Sequence, residues 1–278
     1  MSIKSRIRIL RLSKLLVYRM SFNGKYALIT GAAAGMGRIY ALKLSGMGYG
    51  IIAADINRNG LDSLAGELAS VPFVPVCIDL TSKDAADRLA SMPESGDVEI
   101  LVNNAGMLVT RSIADTPAEK LEAMMALHCT TPLLICHAFV PKMQAAGKGY
   151  ILNISSICAW MDWPVIGMYG NTKRFVKGYS RSLRIECAGT GVSVTTAVFG
   201  AVDTPLFGFP PKTTERMLKW GVMISPQKAV GKALDAMFKK KKKTVPGIVN
   251  RIIIPLVSIL PDGLLERLLK KYGHLVIR

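Results

Sequence analysis

The sequence predicts a single α/β domain: a doubly wound parallel sheet with helices on both faces, followed by a basic, apolar C-terminal helical extension. Between Lys25 and Phe238, short β-rich runs alternate with helix-length amphipathic stretches. The runs YALIT, GIIAA, FVPVCI, EILVN, YILNI and VSVTTAV are nearly continuous in apolar residues, as strands buried on both faces are. The chain has 278 residues, half of them apolar, which suits one domain of this class and excludes a disordered or collagen-like chain.

In chain order, the pattern places strands at 26–30, 50–54, 73–78, 99–103, 149–154 and 192–198, with a short seventh near 244–247. Helices fall near 36–47, 60–70, 82–91, 118–146, 170–188 and 226–238. The domain then covers 22–247, with a lid at about 204–224. Residues 1–21 form a basic N-terminal extension and 248–278 an amphipathic C-terminal one. The first extension reads as a membrane-surface helix, as a transit-like leader, or as a misassigned start with Met20 as the true first residue. Met20 leads straight into the first strand with no spare linker.

The formal net charge is +17, and its distribution limits the possible partners. Residues 1–20 carry +6 and residues 239–278 carry +8, leaving only +3 on everything between. A nearly neutral core with basic tails argues against a nucleic-acid groove and fits an anionic membrane surface near the tails. No apolar stretch reads as reaching the roughly 20 residues that span a bilayer. The five cysteines make no CxxC pair and the three histidines are scattered, so reduced core thiols in a cytoplasmic protein, with no metal, are expected.

The chemistry begins at Thr30-Gly31-Ala32-Ala33-Ala34-Gly35-Met36-Gly37, which joins the first strand to the first helix. Glycines there let the backbone approach a pyrophosphate, held by exposed N–H groups and the positive end of the helix. Asp55, ending the second strand, can accept from both ribose hydroxyls of an adenine nucleotide. Tyr169 and Lys173 lie four apart on a predicted helix, hence on one face. A free phenol has a pKa of about 10, so a nearby ammonium would favour its phenolate. Ser156, ending the fifth strand, offers a hydroxyl donor.

The TGxxxGxG spacing, NNAG at Asn103–Gly106, YxxxK at Tyr169–Lys173 and a serine thirteen residues before the tyrosine occur in one order. In that order the sequence resembles the short-chain dehydrogenase/reductase family, from about residue 22 to 240. The resemblance implies a Rossmann-type fold and hydride transfer between a secondary alcohol or ketone and NAD or NADP. It assigns catalysis to Ser156, Tyr169 and Lys173. Cofactor binding falls to Gly31, Gly35, Met36, Gly37, Asp55, Asp79, Leu80, Asn104, Ala105, Gly106, Tyr169, Lys173, Val202 and Thr204, with Asp79 contacting adenine and Val202–Thr204 holding the carboxamide. It also implies a homo-oligomer, dimer or tetramer, through the helices near 118–146 and 170–188.

Two positions depart from the family. His128 stands where an asparagine usually completes a proton relay, so it is either an altered relay member or a structural histidine. Phe199-Gly200 replaces Pro-Gly and sets a ring near the nicotinamide. Asp55 favours NAD by repelling a 2′-phosphate, while Arg58 keeps NADP open. Trp160 and Trp163 after Ser156, and Phe207 and Trp220 in the lid, suit a large apolar substrate of hydroxysteroid or long-chain 3-oxoacyl type, or else core and oligomer packing. The C-terminal segment reads as a peripheral membrane contact or as a cap over the pocket or an interface. The alternative to an enzyme is a non-catalytic nucleotide-binding or membrane-associated scaffold.

Overall fold

The computed structural model describes residues 21–68, 70–160, 166–206, 209–257 and 259–272. The basic stretch 1–20, Trp163 and Phe207 lie outside them. The first half runs β1 (Tyr26–Thr30), α1 (Gly35–Gly46), β2 (Gly50–Asp55), α2 (Arg58–Ala65), β3 (Phe73–Cys77), α3 (Ala85–Ala90) and β4 (Val98–Asn103). Next come α4 (Ala118–Met125), a π turn at Ala126–Thr130, α5 (Thr131–Ala145), β5 (Gly149–Ser156), a 3-10 turn at Ile157–Trp160, α6 (Gly167–Glu186) and β6 (Val192–Phe199). The chain continues through β7 (Ala201–Val202), α7 (Pro211–Lys219), β8 (Met223–Ile224), α8 (Pro226–Phe238), β9 (Lys243–Thr244), α9 (Ile248–Val257) and α10 (Asp262–Tyr272).

Seven strands form one parallel sheet in the order β3-β2-β1-β4-β5-β6-β9. Its two faces are closed by separate cores. On one, Tyr40, Ala41 and Leu44 of α1, Leu61 and Leu64 of α2, and Val230, Ala233 and Met237 of α8 pack on Ile29, Ile51 and Val102. On the other, Leu89 of α3 and Ile135, Phe139 and Met143 of α5 pack on Leu28, Leu101 and Ile151. The apolar runs in the sequence are therefore apolar because both faces are covered. β3 is the exception: it is only half-buried, being an edge strand, where Pro75 costs no interior hydrogen bond.

Chain order reverses between β1 and β4. Their C-terminal ends part there and open the crevice in which such sheets bind ligands. Three elements differ from the sequence reading. The lid contains α7 and β8, and β8 pairs in parallel with β7 just ahead of the lid, elements too short to register as periodicity. The helix expected at 118–146 is broken by the π turn at Ala126–Thr130. Among the described residues that same rod, Ala118–Ala145, is long and apolar enough to cross a membrane, contrary to the sequence reading, but 44% of its most apolar window is buried inside the protein. All five cysteines are free.

Candidate active site

The crevice is built first from glycine. Gly31 and Gly35 have φ of +67° and +52°, a left-handed backbone that side chains disfavour. A Cβ on Gly37 would sit 1.8 Å from the Gly31 carbonyl oxygen, so only glycine lets α1 begin beneath the turn. No side chain caps the N-terminus of α1 at Ala34, and no acid occupies its first turn. Its backbone donors are thus available to a phosphate. Asp55 closes the far side: its Oδ2 accepts from the Ala33 N–H at 2.9 Å and its Oδ1 from the Asn57 N–H at 2.9 Å.

Gly31, Gly35, Met36, Asp55, Asn104, Ala105, Gly106 and Thr204 line one cleft of about 250 Å³. It shares Met36, Asn104, Gly106, Thr204 and Leu206 with a second, smaller cleft that reaches Ser156, Tyr169, Lys173 and Val202. One continuous crevice therefore runs from the ribose-side carboxylate to the phenol. The cradle only glycine fits, the uncapped helix and the carboxylate together match a nicotinamide dinucleotide.

Neighbouring strand ends hold this crevice in place. The Thr30 hydroxyl oxygen accepts from the backbone N–H groups of Asn104 and Ala105, and Asn104 Nδ2 donates back to the Thr30 and Gly31 carbonyls. A buried polar chain, Asn103 Nδ2 to Asn153 Oδ1 at 2.8 Å and Asn153 Nδ2 to Ser180 Oγ at 2.9 Å, ties β4 and β5 to α6. That chain fixes the helix carrying Tyr169 and Lys173, and sequence reasoning missed it. Each bond joins residues at least 27 positions apart, which no local pattern encodes.

Tyr169 is 8% exposed and Lys173 5%. Lys173 Nζ donates to the Ile154 carbonyl at 3.2 Å and lies 5.7 Å from the Tyr169 ring centroid. Burial pushes the Tyr169 hydroxyl above the usual phenol range, Cys158 adds to the rise, and hydrogen bonding to Ser156 opposes it. Burial brings the Lys173 ammonium down to about 8, against the opposing pull of Cys129 and Cys158. In the protein without cofactor, burial therefore favours the neutral phenol of Tyr169.

His128 is buried, and both its ring nitrogens are engaged. The Met107 backbone N–H, which can only donate, points at Nε2 at 2.9 Å, so Nε2 carries the lone pair and Nδ1 the proton. Nδ1 lies 2.8 Å from Thr172 Oγ1, whose hydroxyl donates to the Tyr169 carbonyl at 2.7 Å. Every bond in this chain has one possible direction. Burial, then the nearby Lys173, hold the His128 pKa well below its usual value.

A neutral, doubly bonded imidazole pins the loop after Asn104 to α6, and protonating it would cost the Met107 bond. His128→Asn keeps a donor for Thr172 and is expected to retain most turnover with an unchanged pH profile from 7 to 9. His128→Leu unpairs the half-buried Met107 N–H, at about 1 to 3 kcal/mol, removes the donor to the Thr172 hydroxyl oxygen, and should lose most turnover. Because the folded pKa lies below the unfolded value of about 6.5, wild-type stability is lost as pH falls through 6.5, by up to about 1.4 kcal/mol per unit. Lys173 and Tyr169 stay protonated throughout that window. Urea midpoints that fall equally from pH 7 to 5 in wild type and His128→Asn would remove the histidine from this role.

Other residues lie apart from the crevice lining. Asp79 is exposed and its Oδ1 caps Thr81, accepting from both its N–H and its hydroxyl at 2.8 Å. Leu80 is buried and its carbonyl accepts from Thr131. Arg38 donates to Gly60 and Ser63 of α2, so it packs helices. Trp160 faces a different cleft, and Trp220, 64% exposed, carries Arg216 over its ring. Phe199 is buried in the sheet core and also lines the crevice, together with Leu206 of the lid and Met107, which the sequence did not single out for this place.

The comparisons with known proteins agree with this geometry. The family model for short chain dehydrogenases matches residues 25–213. An uncharacterized oxidoreductase of Staphylococcus epidermidis is 32% identical over 184 residues, which cover 66% of this chain and 80% of that protein. The chain is similar to a short-chain dehydrogenase from Sphingobium yanoikuyae in complex with NADPH, with a TM-score of 0.71 and 25% identity over 86% of this chain and 97% of that one. It is also similar to a structure described for 7β-hydroxysteroid dehydrogenase stereoselectivity, with a TM-score of 0.79 and 26% identity over 88% and 96%. The non-catalytic alternative falls away with these matches. The chain belongs to the short-chain dehydrogenase family and is an NAD- or NADP-dependent oxidoreductase that moves hydride between a CH–OH group and a ketone.

Proposed function

We propose that this enzyme interconverts a secondary alcohol and a ketone on a large apolar substrate of hydroxysteroid or long-chain 3-oxoacyl type, with NAD preferred over NADP. The observation that carries this reading is the Ser156–Tyr169–Lys173 group at the inner end of a crevice walled by Met36, Met107, Phe199 and Leu206. The nicotinamide cofactor, when bound, supplies or accepts the hydride. Tyr169 donates its proton to the carbonyl oxygen in reduction and takes it back in oxidation. Ser156 Oγ hydrogen-bonds the same oxygen. Lys173, anchored on the Ile154 carbonyl, holds positive charge beside the phenol and eases its loss of the proton.

The apolar preference draws further support from the 7β-hydroxysteroid dehydrogenase likeness. A panel of steroids, 3-oxoacyl thioesters and sugar alcohols, followed by nicotinamide absorbance with each cofactor, tests it. Faster turnover on the sugar alcohols than on either apolar class would overturn it.

The enzyme acts as a homo-oligomer through α5 and α6, where Leu133, Leu134 and Phe175 are about 40% exposed despite being apolar. A monomeric mass by light scattering would refute this. It works at the periphery of an anionic membrane, a placement supported by the basic run Lys239–Lys243 and the apolar helix that follows it.

A further inference from the structure

α9 is not a loose tail. Asn250 is 1% exposed, and its Nδ2 donates to the Pro246 carbonyl at 2.8 Å. It presses so closely on Gly200 that a Cβ there would meet Asn250 Oδ1 at 2.2 Å. The helix also packs against the 3-10 turn that follows Ser156. It thereby encloses, with that turn and β9, an open cleft of about 410 Å³ lined by Trp160, Lys241, Lys243, Val245, Arg251 and Ile254.

The cleft is cationic, and its lining residues include no acid, the counter-charge felt by Lys241 being Asp235 on α8. Lys177 Nζ stands 4.1 Å from the Trp160 ring centroid at its inner edge. Arg251 spends its Nε on the Val245 carbonyl at 3.0 Å, which fixes the guanidinium at the rim. No acid lines the cleft, and among the described residues Lys177, Lys241, Lys243 and Arg251 make no ion pair. Burial, then the nearby Arg174 and Lys243, hold Lys177 below its usual pKa. Beside this cleft the same helix exposes Ile248 (75%), Ile252 (56%) and Leu256 (57%), one apolar row at four-residue spacing.

We propose that the cleft binds the phosphate of an anionic phospholipid while the Ile248–Leu256 row enters the acyl layer. The inference rests on the peripheral-membrane reading above and gives it a site. Clustered lysines and an anchored arginine suit a phosphodiester, and the adjoining apolar row suits the chains attached to it. A second copy of this chain is a poor occupant, because pairing at the β9 edge would bring two runs of Lys239–Lys243 face to face. The bound surface would lie next to the turn after Ser156, so an apolar substrate dissolved in the bilayer would meet the crevice mouth there.

The full chain should be sedimented with phosphatidylcholine vesicles, with and without phosphatidylglycerol. Wild type should bind only the anionic vesicles. Lys243→Glu with Arg251→Glu should weaken binding about tenfold or more, whereas Lys228→Glu with Lys232→Glu, the same charge change on α8, should weaken it less than about threefold. Ile252→Ser with Leu256→Ser should also weaken binding, with turnover of a soluble substrate intact in every variant. Glycerol phosphate, matched to chloride in ionic strength, should compete only weakly, because it lacks the acyl chains. Equal losses in the two charge variants would overturn the cleft and leave a general membrane attraction. Absence of anionic-vesicle binding, with glycerol phosphate still bound, would overturn the lipid and the membrane reading together. A dimer that dissociates in Lys243→Glu with Arg251→Glu would make the face a contact between copies and overturn the proposal.

Discussion

Tyr169→Phe is expected to lower turnover at least about 100-fold while cofactor affinity changes little, because it removes one hydroxyl proton and keeps the ring. The environment strengthens the expectation. With its pKa raised by burial, the hydroxyl favours its protonated form, and Ser156 is near enough to oppose that rise. The buried ring keeps its edge-on packing against His128, with centroids 5.7 Å apart, so phenylalanine should leave the fold intact. Single-turnover rates with a saturating cofactor separate the chemical step from binding. Turnover within threefold of wild type would mean that Tyr169 is not the acid.

Asp55→Ala is expected to relax discrimination against NADP by about 1 to 3 kcal/mol, from the lost repulsion of a 2′-phosphate together with lost ribose hydrogen bonds. The structure adds a complication, since Asp55 Oδ2 also satisfies the Ala33 N–H in the glycine turn. Alanine would unpair that donor and weaken both cofactors. Asp55→Asn retains an acceptor there and removes only the charge, so it should shift the NADP-to-NAD ratio of dissociation constants with a smaller loss for NAD. A wild-type enzyme that binds NADP more tightly than NAD would refute the argument.

The parts of the site legible in the sequence are those built from neighbours along the chain. The glycine turn, Asp55 at a strand end, and Tyr169 four residues before Lys173 are local arrangements, and the spacing of residues reports them directly. Thr30, Thr172 and Met107 act through hydrogen bonds to residues 21 to 75 positions away, so nothing around them announces a role. Trp160 was legible as a large apolar residue near Ser156. Which side of the 3-10 turn it faces depends on α9, whose docking is set by Asn250 against Gly200. β3 shows the opposite limit, because its run is as apolar as the interior strands while its place at the sheet edge is a matter of topology.

The π turn at Ala126–Thr130 has a consequence for anyone who borrows this part of the molecule. A π turn closes one residue later than an α turn, so the faces of α4 and α5 are offset by about 100° from those of a continuous helix. A helical wheel drawn through 118–145 as one rod therefore assigns half its residues to the wrong side. A stapled peptide or a redesigned subunit contact taken from α4 and α5 has to carry the extra residue. Without it, the residues copied from one half would be presented away from the surface they were chosen to meet.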